Sequence, residues 1–232
     1  MTQQPARRDT RVLIIDDHAL FAESLELALS LEGYDVRRPH LPEPDQSADE
    51  VLAAAIRMRP RIVLLDLDLG RLGDGTRMIA PLSDSGVHVV VVTGASDRAR
   101  WGECLRHGAR RVLTKTQPLN EILAVVRRIY QGLPVMDRHE RDRLIELWRT
   151  QRQAREAVVE RLRSLTRREQ EVLTHLMLGR PVAEIAALSV VSEATVRSQV
   201  KSILAKLEVS SQLRAVGVAH QVGWQPAPSI SV

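Results

Sequence analysis

Apolar residues recur along this chain in two rhythms, and the change between them falls near residue 165. From Arg11 to about Gln131, short apolar runs alternate with longer amphipathic stretches. The runs at 12–15, 62–65, 87–92 and 111–113 have the length and composition of strands buried on both faces. A weaker run at 34–38 follows Gly33, a residue suited to ending a helix. Between the runs, 20–31, 48–58, 76–82, 98–107 and 120–130 space their apolar residues as helices do. Five strand–helix units in succession predict a doubly wound α/β domain built on a parallel sheet.

The stretch from 137 to 165 has no internal Gly or Pro and alternates acids with arginines, which predicts one long helix. Leu144, Leu147, Trp148, Val158, Leu162 and Leu165 form a stripe broken by Gln151 and Arg155. A linker helix packed on one domain fits those polar breaks better than a coiled coil does. Beyond it the texture is wholly helical. Thr166 to Glu169 is a capping box for a helix reaching Leu178. Pro181 suits the first turn of a second helix ending at Leu188. Ser192 caps a third to Leu207, and Ser210 or Ser211 a fourth to about Val222. The expected organisation is a flexible start at 1–10, an α/β domain at 11–131, a helical linker at 132–163, an all-α domain at 164–224 and a disordered tail at 225–232.

Composition narrows the partners. The 232 residues include 33 basic and 29 acidic side chains, and only Lys115, Lys201 and Lys206 are lysines. Residues 1–130 hold 18 of each sign, whereas 161–232 hold 9 basic and 5 acidic, so the surplus lies in the helical third. Such a surplus is compatible with a nucleic-acid partner. A single cysteine, Cys104, excludes an intrachain disulfide and a cysteine-rich zinc site and fits a reducing compartment. No apolar stretch is long enough to span a membrane and the start is too polar for a signal peptide, so a cytoplasmic protein without a membrane partner is expected.

The chemistry gathers where strands end, the edge at which an open parallel sheet presents ligands. Asp16 and Asp17 follow the first run, Asp66 the third, Thr93 the fourth and Lys115 the fifth. Three carboxylates brought within about 5 Å repel one another by several kcal/mol, so the site calls for a divalent cation. Mg²⁺ favours such oxygen ligands. Asp66 could then attack a phosphoryl group whose oxygens are held by Lys115 and Thr93, giving an aspartyl phosphate.

These residues, with LIIDDHALFAESL at 13–25 and VVVVTGA at 89–95, closely resemble the receiver domain of response regulators over about 120 residues. The resemblance implies a flavodoxin-like fold, phosphorylation of Asp66 by a sensor histidine kinase, and Mg²⁺ held by Asp16, Asp17, Asp66 and the backbone of Asp68. Activity beyond the domain's own phosphorylation and slow dephosphorylation is not implied, so the chain is not expected to be an enzyme. Three positions depart from the family. Leu69-Gly70 replaces Met-Pro in a loop one residue longer, Val112 stands where a switch aromatic is usual, and Thr116 follows Lys115 in place of Pro. Val112 and the loop raise the alternative of a phosphorylation-independent regulator. Asp66-Leu-Asp68 also imitates the DxD of haloacid-dehalogenase phosphatases, whose metal-binding acids come last in sequence and not first.

At 100° per residue, Val196, Val200, Ile203 and Leu207 of the third C-terminal helix share one face and belong to a core. The opposite side presents Ala194, Ser198, Lys201 and Ala205, flanked by Arg197 and Ser202. Small residues around cations suit a helix that enters a major groove. LTRREQEVL at 165–173, EIA at 184–186 and VSEATVRSQVKSILAKLEV at 191–209 resemble the LuxR-type helix-turn-helix of the NarL/FixJ group. That resemblance implies a transcription regulator binding promoter DNA. Arg197, Ser198 and Lys201 would approach bases and Thr195 and Gln199 the backbone or groove edges. It also implies a homodimer formed through the fourth helix. Gln199 and Ser202 replace a commoner His and Asn, and Ser189 a usual Leu. Lys206 reads as ordinary surface, and His18, His88, His107 and His175 as packing or surface residues.

Overall fold

The computed structural model describes residues 6–39 and 47–225 and divides into two compact units, 1–149 and 150–232. Of the start expected to be flexible at 1–10 and the tail expected to be disordered at 225–232, residues 1–5 and 226–232 lie outside the described residues, while Arg7–Asp9 form a 3-10 turn.

In the first unit the five strands are β1 (Arg11–Ile15), β2 (Asp35–Arg37), β3 (Ile62–Leu65), β4 (His88–Thr93) and β5 (Arg111–Thr114). They form one parallel sheet in the order β2-β1-β3-β4-β5. The helices between them are α1 (Ala19–Leu31), α2 (Ala48–Arg57), α3 (Thr76–Asp84), α4 (Arg98–Arg106) and α5 (Leu119–Tyr130). The unbroken apolar runs are explained by two cores. Leu13, Ile15, Val63, Leu65, Val89 and Val91 face one side with residues of α2, α3 and α4. Val12, Ile14, Ile62, Leu64, Val90 and Val92 face the other with α1 and α5. Alternate side chains of each strand therefore enter opposite cores.

Most boundaries fall within one residue of the sequence reading, and two further differences have a local cause. The second strand is shorter than 34–38 because it pairs only with β1, over three residues. α3 runs past Leu82 to Asp84 although Pro81 lies inside it.

Helix α6 (Arg138–Arg163) is continuous, and Asp137 caps it by accepting a hydrogen bond from Glu140 N at 3.0 Å. Its apolar residues are shared between units, which corrects the expectation of packing on one. Leu144 lies in the core of the first unit, and Leu162 in that of the second. Within the first unit α6 meets α4 at Gly102, where a Cβ would lie 2.0 Å from Leu144 O and 2.9 Å from Trp148 Cβ. Arg141 fastens the contact by donating to the carbonyls of Leu105 at 2.6 Å and Ala109 at 3.0 Å.

The second unit is helical: α7 (Arg167–Met177), α8 (Val182–Ser189), α9 (Glu193–Leu207) and α10 (Gln212–Gln221). Val196, Val200, Ile203 and Leu207 are buried as their periodicity required, beside Leu173, Ile185 and Ala215. The Thr166–Glu169 capping box is formed, and Ser211, not Ser210, caps α10. Pro181 occupies the N-cap of α8 and not its first turn. Ser189 closes α8, so the link to α9 is shorter than expected, and Val190 turns the chain with φ +53°. A β-branched residue in that left-handed region is strained.

Candidate functional site

The β1, β3, β4 and β5 ends bring the expected residues to one edge. Lys115 Nζ donates to Asp66 Oδ2 at 2.7 Å and Asp16 Oδ1 at 2.8 Å, and it lies 5.2 Å from the centroid of the Phe21 ring. Lys115 N–H donates to Thr93 O at 2.9 Å, so the strand ladder itself sets where the ammonium can reach. Asp66 is 2% exposed, and its Oδ1 accepts from Leu67 N at 2.7 Å. Asp16 Oδ1 also accepts from His18 N at 2.8 Å. Thr93 is buried at its strand end, and its hydroxyl accepts from Ala95 N at 3.2 Å.

His18 is exposed, as the surface assignment expected, yet its ring reaches the acidic pair and the lysine. Its Nδ1 lies 2.7 Å from Asp17 Oδ1 and 3.0 Å from Lys115 Nζ. Ligand atoms of Asp16, Asp17, His18 and Asp66 all fall within 4.8 Å of one another. Its place directly after the acidic pair was the available signal; only a search for regular histidine spacing passed over it.

The charges are mutually dependent. Burial pushes the Asp16 carboxyl above its usual range, against the opposing pull of Lys115 and the His18 N–H. Burial alone would lower the Lys115 ammonium, but its bonds to Asp16 and Asp66 outweigh that and raise it. Three carboxylates against one lysine leave negative charge in the pocket, and hard oxygen donors suit Mg²⁺. Asp16, Asp17 and Asp66 could hold it by side chains. The Asp68–Asp74 bridge engages Leu67 O and Leu69 N, so the Asp68 carbonyl stays outside that pair of bonds. The Asp68 carboxylate is exposed and accepts from Gly70 N at 3.4 Å.

Two glycines shape the loop. A Cβ on Gly75 would sit 2.2 Å from Asp66 O, which forbids a side chain there. Gly70 has φ +57°, a conformation closed to proline, and a Cβ on it would come 2.9 Å from Asp17 Oδ2. The replaced Met-Pro is thus a different turn that brings backbone against the acidic pair. Val112 is buried with Cys104, Leu105 and Leu144. Burial pushes the Cys104 thiol up to about 12, so it is inert packing.

On α9, Ala194, Ser198, Lys201 and Ala205 are exposed together, with Arg197 beside them 3.0 Å from Glu193. Thr195 Oγ1 lies 2.9 Å from the capping Ser192 hydroxyl, and Gln199 is half-buried. Two residues differ from expectation. Ser202 donates to Glu169 Oε1 at 2.6 Å and so serves packing more than the outward face. Lys206 is not ordinary surface: it donates to Glu169 Oε2 at 2.7 Å. Glu169 is buried, and despite that burial its bonds to Lys206, Ser202 and Thr166 hold the carboxyl down to about 2. The sequence showed Glu169 as a cap but gave no sign that α9 closes on it.

Comparison with known proteins agrees with both units. The family model for the response regulator receiver domain matches residues 12–127, and that for bacterial regulatory proteins of the luxR family matches 163–219. The transcriptional regulatory protein LnrK of Bacillus subtilis is 29% identical over 212 residues, covering 88% of this chain and 94% of that protein. LiaR of the same organism is 28% identical over 216 residues, covering 91% and 97%. A solved structure of the Salmonella typhimurium RcsB response regulator has a TM-score of 0.51 at 19% identity, over 91% of this chain and all of that one, a likeness of fold. No helix among the described residues is long and apolar enough to cross a membrane. With a receiver model spanning half its length and a luxR-family DNA-binding domain after it, the chain belongs to the response regulators that act as transcription factors.

Proposed function

We propose that the chain converts phosphorylation of Asp66 by a sensor histidine kinase into altered binding of promoter DNA in the cytoplasm. The observation that carries this is Lys115 Nζ bridging Asp66 and Asp16 at 2.7 and 2.8 Å among four grouped ligand residues. Asp66 Oδ1 accepts from Leu67 N–H and Oδ2 from Lys115 Nζ; the lysine's flexible bond can shift to a phosphoryl oxygen where the backbone bond cannot, which supports Oδ2 as the attacking atom. It forms the new O–P bond as the P–N bond to the donor imidazole breaks and the imidazole leaves with the bond electrons. Lys115 then moves its hydrogen bond from Asp66 to a phosphoryl oxygen, and the Thr93 hydroxyl turns from Ala95 N to donate to another. Asp16, Asp17, Asp66 and the Asp68 carbonyl would hold Mg²⁺, which when bound offsets charge on the phosphoryl oxygens. The added charge biases a two-state arrangement of the face around Thr93 and Lys115.

On the DNA, Arg197, Ser198 and Lys201 meet base edges while Thr195 and Gln199 contact backbone or groove edges. Dimerisation presents two copies of α9 to a two-part site. The test is labelling by a small phosphodonor with Mg²⁺, followed by sedimentation with and without duplex DNA. Labelling that needs Asp66 and changes association supports the reading; an Asp66→Asn variant that still labels overturns it.

A further inference from the structure

The first unit's balanced charge is segregated along its strands. The pocket is acidic at one edge of the sheet, and the opposite edge, where the strands begin, is arginine-rich. β1 opens with Arg11, β3 follows Arg59 and Arg61, β4 opens with His88, and Arg110 precedes Arg111 of β5. Backbone bonds knit these starts into a row. Arg61 N donates to Arg11 O at 2.9 Å, His88 N to Arg61 O at 3.0 Å and Arg110 N to Val89 O at 2.7 Å. At about 4.8 Å between strands the row spans about 14 Å.

Some of its cations are already neutralised. Arg11 bonds Asp35 at 2.8 Å, and Arg111 bonds Glu140 at 2.9 Å. Among the described residues, Arg59, Arg61 and Arg110 have no carboxylate within 4.0 Å. Arg59 and Arg110 are exposed, and Arg61 lies 5.9 Å from the Tyr130 ring centroid. Burial together with Arg110 and Arg61 pushes the His88 imidazole below its usual value, the response of a base in a positive field. Arg141 is lowered by burial and then by Arg110.

We infer that this edge is a second, sequence-independent contact with DNA, holding phosphates of the backbone through Arg59, Arg61 and Arg110. Duplex DNA carries a phosphate charge per about 1.7 Å of axis, and the arginines left unpaired, from the start of β3 to the start of β5, span about 10 Å, enough to face several. Arginine forks match phosphate oxygens in pairs. The luxR-family unit on the same chain keeps DNA at high effective concentration, so even a weak edge adds to the affinity of the whole. The inference rests on the DNA-binding reading above.

The test uses the full chain, a 40-base-pair duplex of random sequence, and salt from 50 to 200 mM. Each phosphate contact adds about 0.9 to the slope of log affinity against log salt. An Arg59→Gln, Arg110→Gln double variant should therefore lose about 1.8 from the slope and about 12-fold in salt sensitivity over that range. The corresponding double Lys variant should restore both. An unchanged slope overturns the inference. So does a loss that lysines do not restore, or one confined to tripolyphosphate or anionic phospholipid vesicles while duplex binding stays intact. Lys201→Ala separates the readings: if it weakens duplex binding and the arginine pair does not, the edge contact fails and the α9 assignment stands.

Discussion

Glu169 offers a quantitative test of how the DNA-binding unit holds together. Its carboxylate is nearly sealed from solvent, with a side-chain exposure of 7%, and closes the N-terminus of α7 onto the C-terminal half of α9. A folded-state value of about 2 against an ordinary 4.5 corresponds to about 3 kcal/mol at 1.36 kcal/mol per unit. Because Lys206 is one-third exposed, about 2 to 3 kcal/mol is the working figure. The folded value is depressed, so this stability is complete above pH 4.5 and is lost as pH falls through about 2. Between pH 7 and pH 3 the loss from this one group is about 2 kcal/mol. Glu169→Gln should therefore lower the urea midpoint of the second unit by about 2 M at pH 7, taking a slope near 1 kcal/mol/M. Near pH 2 variant and wild type should converge. The assay is urea unfolding of the full chain across pH, with the second unit's transition identified by its response to the substitution. A deficit of the same size at pH 3 and pH 7 would refute the electrostatic account and leave only lost packing.

Other outcomes follow from single contacts. Asp16→Asn removes a carboxylate that burial disfavours, so it should raise the melting temperature by about 2 to 4 °C while weakening Mg²⁺ binding; a fall would contradict the charge argument. Gly102→Ala should destabilise the first unit by about 1 to 3 kcal/mol and alter Trp148 fluorescence, since its Cβ meets Leu144 O; a neutral effect would mean α6 does not lie against α4. Val190→Gly relieves a left-handed β-branched residue that is fully solvent-facing and should stabilise the second unit by about 1 kcal/mol in the same urea assay.

The sheet and the pocket were legible because both rest on local signals. Apolar runs buried on two faces need no alternation, and an acid, hydroxyl or ammonium directly after each run is carried to the shared edge by the parallel topology. What escaped depends on side chains meeting across long separations. Nothing near Lys206 or Ser202 announces Glu169, 33 or more residues away, and helical angle alone put Lys206 on the surface. His18 escaped for the opposite reason, since it was adjacent to the site and lacked only a regular spacing. Leu144 and Leu162 sit on one helix yet serve two cores, which a single stripe cannot distinguish.

The backbone contact between Gly102 and Leu144 has a mechanical consequence. Most packed helices are separated by side chains, which can change rotamer and absorb a small shift at the interface. Here main chain rests on main chain, and Arg141 ties α6 to the carbonyls at the end of α4. Such a joint has little backlash: a fraction of an ångström of travel in α4 must either be transmitted to the first turns of α6 or break those bonds. Trp101 on α4 also donates its indole N–H to Ala95 O, two residues beyond Thr93. The strand end that carries the hydroxyl and the start of the long helix are thus geared together through one glycine.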